Sequence, residues 1–209
     1  EQKDYKKAEE YYLKAIENSH IGALNNIANL YKKQKDYKKA EEYYLKAIGN
    51  ADIGALNNIG VLYKEQKDYK KAEKYYLKAI ENGNNNALNN IGVLYKEQKD
   101  YKKAEEYYLK AIENGDHDTL NNLAWFYYEI GQKFDKAIYF VEKSLSIEKN
   151  NYNTHTLAIL LLVNEDFSKS YKKFEEWLEL LNIEDHIHDI SLYLNLLIAK
   201  EQYYKVKNI

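Results

Sequence analysis

Cysteine, methionine and proline are absent from the 209 residues, and arginine is absent too, so all 31 cations are lysine. Without cysteine there is no disulfide and no thiolate metal site, although that alone does not fix the compartment. Without arginine, bidentate guanidinium recognition of phosphate or carboxylate is excluded throughout. Neither sign of charge is in excess, with 31 cations against 33 Asp and Glu. That removes the electrostatic case for nucleic acid or an anionic membrane as partner. No apolar run approaches the ~18–20 residues that span a bilayer. The missing initiator methionine and the start in mid-pattern at EQKDYKKAEE predict a piece of a longer protein. The lack of a signal peptide therefore says little, and the cytoplasm is only the default compartment.

What the chain does have is self-similarity. Gln2, Gln34, Gln66 and Gln98 each open QKDYKKAE(E/K)YYLKAI, at a spacing of 32 residues. Between these blocks lie ALNNIANLYKK, ALNNIGVLYKE twice, and the looser TLNNLAWFYYE. A fixed period in this range marks a repeat array. Apolar residues recur at helical spacing (Leu56, Ile59, Leu62 and Tyr63, then Tyr69, Ala72, Tyr76 and Ile80), and neither stretch alternates as a strand would. Each repeat is thus expected to be two short helices, A and B. Asp36, Asp68 and Asp100 suit the N-cap of helix B. Asn82-Gly83 and Asn114-Gly115 suit its left-handed end. Ser19, Asp52 and Asp116 are expected to cap the next helix A.

The spaced residues Leu56, Ile59-Gly60, Tyr63, Ala72, Tyr76 and Ala79 resemble the signature of the tetratricopeptide repeat family. The same set recurs as Leu24, Ile27-Ala28, Tyr31, Ala40, Tyr44 and Ala47, and as Leu88, Ile91-Gly92, Tyr95, Ala104, Tyr108 and Ala111. The resemblance implies an all-α fold: an α-solenoid of antiparallel helix pairs in a right-handed superhelix, with about five to six repeats of ~32 residues. Two departures stand out. The period is shortened at a junction similar to that of the related Sel-like repeats. Lys35, Lys67 and Lys99 occupy the A–B turn where the family carries glycine, which predicts strain there if the backbone is left-handed. Gly131 restores the glycine. The expected organisation is an orphan helix B over 1–18, three near-identical repeats over 21–113, and a diverged fourth over 117–148. A divergent fifth repeat with capping helices follows over 152–209, and the whole reads as one continuous solenoid.

In this family helix A lines the concave surface that holds peptides. Carried over, that groove would present Asn25, Asn26, Asn57, Asn58, Asn89, Asn90, Asn121 and Asn122. Beside them run Asn29, Val61, Val93 and Trp125, and one turn further on Lys32, Lys64, Lys96 and Tyr128. Asparagine is a mediocre helix former, so eight mid-helix copies need a reason. Either the carboxamides read the main chain of an extended peptide with their acceptor and two donors, or duplication copied a harmless pair whose amides bridge neighbouring helices. The family's carboxylate clamp for chaperone tails does not fit. Asn29, Asn58 and Asn90 are amides, the cationic positions hold Asn25 and Asn86, and arginine is missing.

No phosphate loop, zinc-protease motif, nucleophile elbow or Cys/His site is present, so no enzyme, metal or cofactor is expected. His186 and His188 lie two apart, a spacing that points side chains away from each other on a helix. His20, His117 and His155 are expected at the surface. Most of the 23 tyrosines fall at packing positions, with Tyr43, Tyr75 and Tyr107 free to face outward. Trp177 sits at a normally small helix B position and implies local repacking. The favoured role is a scaffold for a peptide or protein partner in the groove. Its rivals are the docking arm of a larger enzyme and a spacer that self-associates through the solenoid ends.

Overall fold

The computed structural model describes residues 2–164, 166–180 and 198, and among them it contains eleven α-helices and no strand. The final expected helix A, over 189–202, and the His186/His188 pair fall outside the described residues, Ile198 apart. The fold is all-α, built of helix pairs of the tetratricopeptide solenoid type, and the chain divides into two compact units, Glu1–Asp116 and His117–Ile209.

The first unit comprises α1 (Gln2–Glu17), α2 (Gly22–Lys33), α3 (Tyr37–Gly49), α4 (Ile53–Glu65), α5 (Tyr69–Glu81), α6 (Asn86–Glu97) and α7 (Tyr101–Glu113). α2, α4 and α6 are A helices and the odd-numbered ones B helices. Each A helix packs on the B helix that follows it and, less extensively, on the one before it; α4 also touches both α2 and α6. The core is the set of small and aromatic residues that the repeat pattern marks. Ala40, Tyr44 and Ala47, and their equivalents in α5 and α7, are buried against Ile27, Ala28 and theirs. Close approach explains the small residues. A Cβ built on Gly60 would lie 2.6 Å from the ring of Tyr76, and on Gly92 2.8 Å from that of Tyr108.

Helix limits follow local chemistry. Asp36, Asp68 and Asp100 accept from the backbone N–H of Lys39, Lys71 and Lys103 at 3.1–3.2 Å, and each leads straight into its B helix. Asp52 does the same for Ala55 at the start of α4. Ser19 does not cap α2. It lies at φ 63° after the end of α1, and the N-cap of α2 is Ile21, which makes no side-chain cap. The N-cap of α8 is likewise His117 with no side-chain cap, so Asp116 does not hold that position. Lys35, Lys67 and Lys99 are left-handed at φ 60–62°, as are Gly83 and Gly115 at the B-helix ends.

The second unit begins with α8 (Asp118–Glu129), α9 (Phe134–Ile147), α10 (Asn151–Val163) and α11 (Phe167–Leu180). α8 packs on α9, α10 on α11, and α10 also on α8 and α9. Ser144 follows Ala111 by 33 residues, one more than the period, and the extra residue falls at a turn with a second left-handed position, Lys133 at φ 56°, after Gly131 at φ 65°. α10 buries Asn153, Thr154 and the whole run from Thr156 to Leu162. Trp177 fills the place of a small residue, packing on Ala158 and Phe174. His155 is not a surface residue: it is half-buried with its ring 4.6 Å from that of Trp177.

Candidate functional site

On the A-helix face of the first unit, the carboxamides are half-buried except for Asn26, which is exposed. They bridge successive A helices. Asn58 Nδ2 donates to Asn25 Oδ1 at 3.0 Å, and Asn90 Nδ2 to Asn57 Oδ1 at 2.9 Å. The offset is 33 residues, one more than the repeat, so the first asparagine of one pair meets the second of the next. That register is why the asparagines come in twos. A bridge consumes one N–H of the donor and the carbonyl of the acceptor, so Asn58 and Asn90 retain a carbonyl oxygen and a second N–H.

The lysines of the same face follow the same offset. Lys32 meets Glu65 at 3.3 Å, and Lys64 meets Glu97 at 3.2 Å. The face is therefore charge-compensated from within, and its lysines are held in place by the repeat that follows. Val61, Val93 and Lys96 are half-buried beside them. Asn29 accepts the Tyr44 hydroxyl at 2.6 Å. Val61 stands at the matching position of the next repeat, and there the fully buried Tyr76 hydroxyl has no partner. Burial raises the pKa of both phenols, with Glu65 and, for Tyr76, Glu97 adding to the rise.

A cavity of about 720 Å³ opens where α1, α2 and α4 meet, with Asn26, Asn29 and Lys32 on one side and Tyr5, Ala8 and Tyr12 on the other. Ala8 and Tyr12 are the counterparts of Ala40 and Tyr44, which are fully buried within their own repeat, so the α1 side of this cavity is a helix-packing face. Asp4 and Glu65 balance Lys32 and Lys33 around the rim.

Away from this face a second network ties helices together. The hydroxyls of Tyr31 and Tyr63 donate to Glu9 and Glu41 at 2.6 and 2.5 Å, and Tyr95 donates to Glu73. Burial, and then these carboxylates, raise all three phenols above their ordinary pKa. Tyr43, Tyr75 and Tyr107 do not face outward freely: each stacks on the A-helix tyrosine of its repeat at 5.5 Å.

In the second unit Asn121, Trp125 and Tyr128 are half-buried and Asn122 is exposed. Trp125 Nε1 donates to Glu129 at 2.9 Å, and its ring lies 4.9 Å from Tyr128. Among the described residues no group of three or more His, Cys, Asp or Glu is placed to hold a metal, and no helix is long and apolar enough to cross a membrane.

Comparison with known proteins adds the following. Residues 19–85 and 52–116 match a family model described as tetratricopeptide repeat, and residues 1–19 match a second of the same description. Comparison with curated protein sequences gave no match. Among solved structures, yeast Tom70 has a TM-score of 0.80 at 16% identity, over 93% of this chain and 43% of that one. BtubC (BKLC) from P. vanneervenii has a TM-score of 0.70 at 20% identity, over 85% and 88% of the two chains. A Sel1 repeat protein from Oxalobacter formigenes gives 0.62 at 28% identity, over 82% and 74%. These likenesses carry the fold.

Proposed function

Since this chain belongs to the tetratricopeptide repeat family, whose members generally bind protein partners, we infer that it is a non-catalytic scaffold holding an extended partner segment along the A-helix face of residues 21–113. The observation that carries this reading is the row of half-buried carboxamides Asn25, Asn57, Asn58, Asn89 and Asn90 on successive A helices, with Val61 and Val93 beside them. Such a mixture suits a peptide, whose main chain needs donors and acceptors while its side chains need apolar contact. The amide bridges support the reading by fixing the carboxamides of Asn58 and Asn90 in one orientation, so little ordering is left for the partner to induce. The balanced charge of the face argues for a neutral or mixed segment and against nucleic acid, whose binding rests on phosphate neutralisation.

Peptide display on the chain tests this, run beside two variants. Replacing Asn57, Asn58, Asn89 and Asn90 with Ala removes the Asn57–Asn90 bridge and the donor to Asn25. It is expected to abolish enrichment at a stability cost of ~0.5–1.5 kcal/mol per bridge. Asn26→Ala breaks no bridge, so it separates binding from folding: enrichment should fall while the melting temperature holds. Motif-sharing peptides that enrich equally on all three proteins would remove the A-helix face from consideration.

A further inference from the structure

Each A–B turn of the three near-identical repeats carries two lysines that no acid balances. Lys32 and Lys64 pair with Glu65 and Glu97, and Lys46 and Lys110 with Glu42 and Glu106. Lys39, Lys71 and Lys103 pair with the capping aspartates at 3.4–3.8 Å and lie 4.7–4.8 Å over the rings of Tyr31, Tyr63 and Tyr95. By contrast Lys35 and Lys38, Lys67 and Lys70, and Lys99 and Lys102 are exposed and enter no ion pair among the described residues.

Both members of each couple stand where local structure disfavours them. The first is left-handed at φ 60–62°, a conformation that suits glycine and crowds an L side chain. The second lies in the first turn of a B helix, whose positive end favours an acid. The fourth repeat carries both alternatives. There Gly131 takes the left-handed place and Asp135 the first-turn place, in line with both preferences. Two unrelated preferences are thus broken together in the copied repeats and obeyed together in the fourth, and each breach adds positive charge at one edge. Local rules broken without a packing gain point to a functional surface.

An exposed row of ammonium groups attracts an anionic partner, and its spacing selects the kind. Successive A helices touch through their carboxamide bridges, so the turns step by roughly 10 Å. A polyproline II segment rises ~3.1 Å per residue with three residues per turn, so every third side chain returns to one face after roughly 9 Å. Carboxylates at every third residue of such a segment meet one lysine couple each. Lysine offers no bidentate fork for phosphate, and the net charge of -2 supplies no wider field for a densely charged polymer. We propose that the A–B turn edge of residues 21–113 is a docking strip for an acidic segment of a protein partner, with Asp or Glu at every third residue. The strip uses none of the A-helix carboxamides, so it stands whether or not their face holds a peptide.

The test is fluorescence anisotropy of the full chain with a labelled peptide carrying Glu at every third position, beside an isomer whose Glu residues are clustered. The spaced peptide should bind the more tightly, and added salt should weaken it. Lys35→Gly with Lys67→Gly should weaken it roughly 1.5- to fivefold per lysine, while the melting temperature holds or rises. Lys14→Gln with Lys74→Gln removes the same charge from exposed positions outside the strip and should change binding far less. Equal losses from the two double variants, equal binding of the two peptides, or no binding at low salt would each overturn the strip. So would tighter binding of an oligonucleotide of the same charge. Asn26→Ala, which breaks no bridge, should hold the spaced peptide as the unchanged chain does; a loss there would place the peptide on the A-helix face and overturn the strip.

Discussion

The three near-identical repeats and the two diverged ones solve the same packing problem with different chemistry. Across 21–113 each contact between helices is a copied set: a small residue under a tyrosine ring, a carboxamide bridge, a lysine–glutamate pair and a tyrosine–glutamate bond. Within the second unit other contacts join the helices. Tyr127 packs with Phe126 and Phe140, and α10 buries an aliphatic run. Trp177 takes the volume that an alanine leaves elsewhere. The copied contacts depend on register, because a carboxamide or ion pair works only when two helices keep a 33-residue offset. The diverged contacts depend on volume, which tolerates an inserted residue such as the one absorbed at Lys133.

The sharpest way to break this contrast is at the small positions. Gly60→Ala and Gly92→Ala each push a Cβ to 2.6–2.8 Å from a tyrosine ring. Overpacking costs ~1–3 kcal/mol, and the helix-propensity gain of about 1 kcal/mol offsets part of it, leaving a net loss of up to about 2 kcal/mol, read by thermal or urea unfolding. Ala28 and Ala124 already fill this position in the first and fourth repeats. Their change to Gly should cost about 1 kcal/mol from helix propensity alone. If Gly60→Ala proves neutral, Tyr76 can settle as Tyr44 does beneath Ala28, and the repeats are interchangeable at this contact.

A smaller effect of opposite sign is expected at Val61. Tyr44 donates to Asn29, but Val61 gives Tyr76 nothing to donate to. Val61→Asn restores the acceptor and should stabilise the chain by about 1 kcal/mol. An unchanged unfolding midpoint would mean that the A-helix surface differs between these repeats in more than this one residue.

Much of the architecture was legible because a repeated sequence states its own period. The helix pairs, the aspartate caps at Asp36, Asp68 and Asp100, and the left-handed Gly83 and Gly115 all followed from local pattern. Bridging of amides between neighbouring helices was one of the two readings the asparagines offered, and the bridges at Asn25–Asn58 and Asn57–Asn90 bear it out. What escaped was their offset, one residue more than the repeat, and the Lys32–Glu65 and Lys64–Glu97 pairs that share it, because a reading confined to single helix faces does not look that far. The bridging reading of the asparagines therefore stands beside the ligand reading, since each amide has more than one polar atom to commit. Ser19 failed as a cap because the chain needed it left-handed to end α1. His155 left the surface to lie against Trp177, a neighbour that a reading of one helix does not supply.

The left-handed lysines give the mildest test. Lys67 and Lys99 hold φ near 60° at the A–B turn, where an L side chain crowds its own backbone by ~1–2 kcal/mol. Glycine removes that strain but loses roughly 0.5–1 kcal/mol to chain entropy on folding. The balance for Lys67→Gly is thus a gain of roughly 0–1.5 kcal/mol, measured by chemical unfolding with unchanged slope. Gly131 occupies the same turn of the fourth repeat at φ 65°, so Gly131→Lys should lose what Lys67→Gly gains. Equal and opposite shifts would show that the turn is one structural element in both units, indifferent to how the helices around it pack. A larger loss at Gly131 would tie that turn to its neighbour Lys133, since two strained lysines would then stand two residues apart.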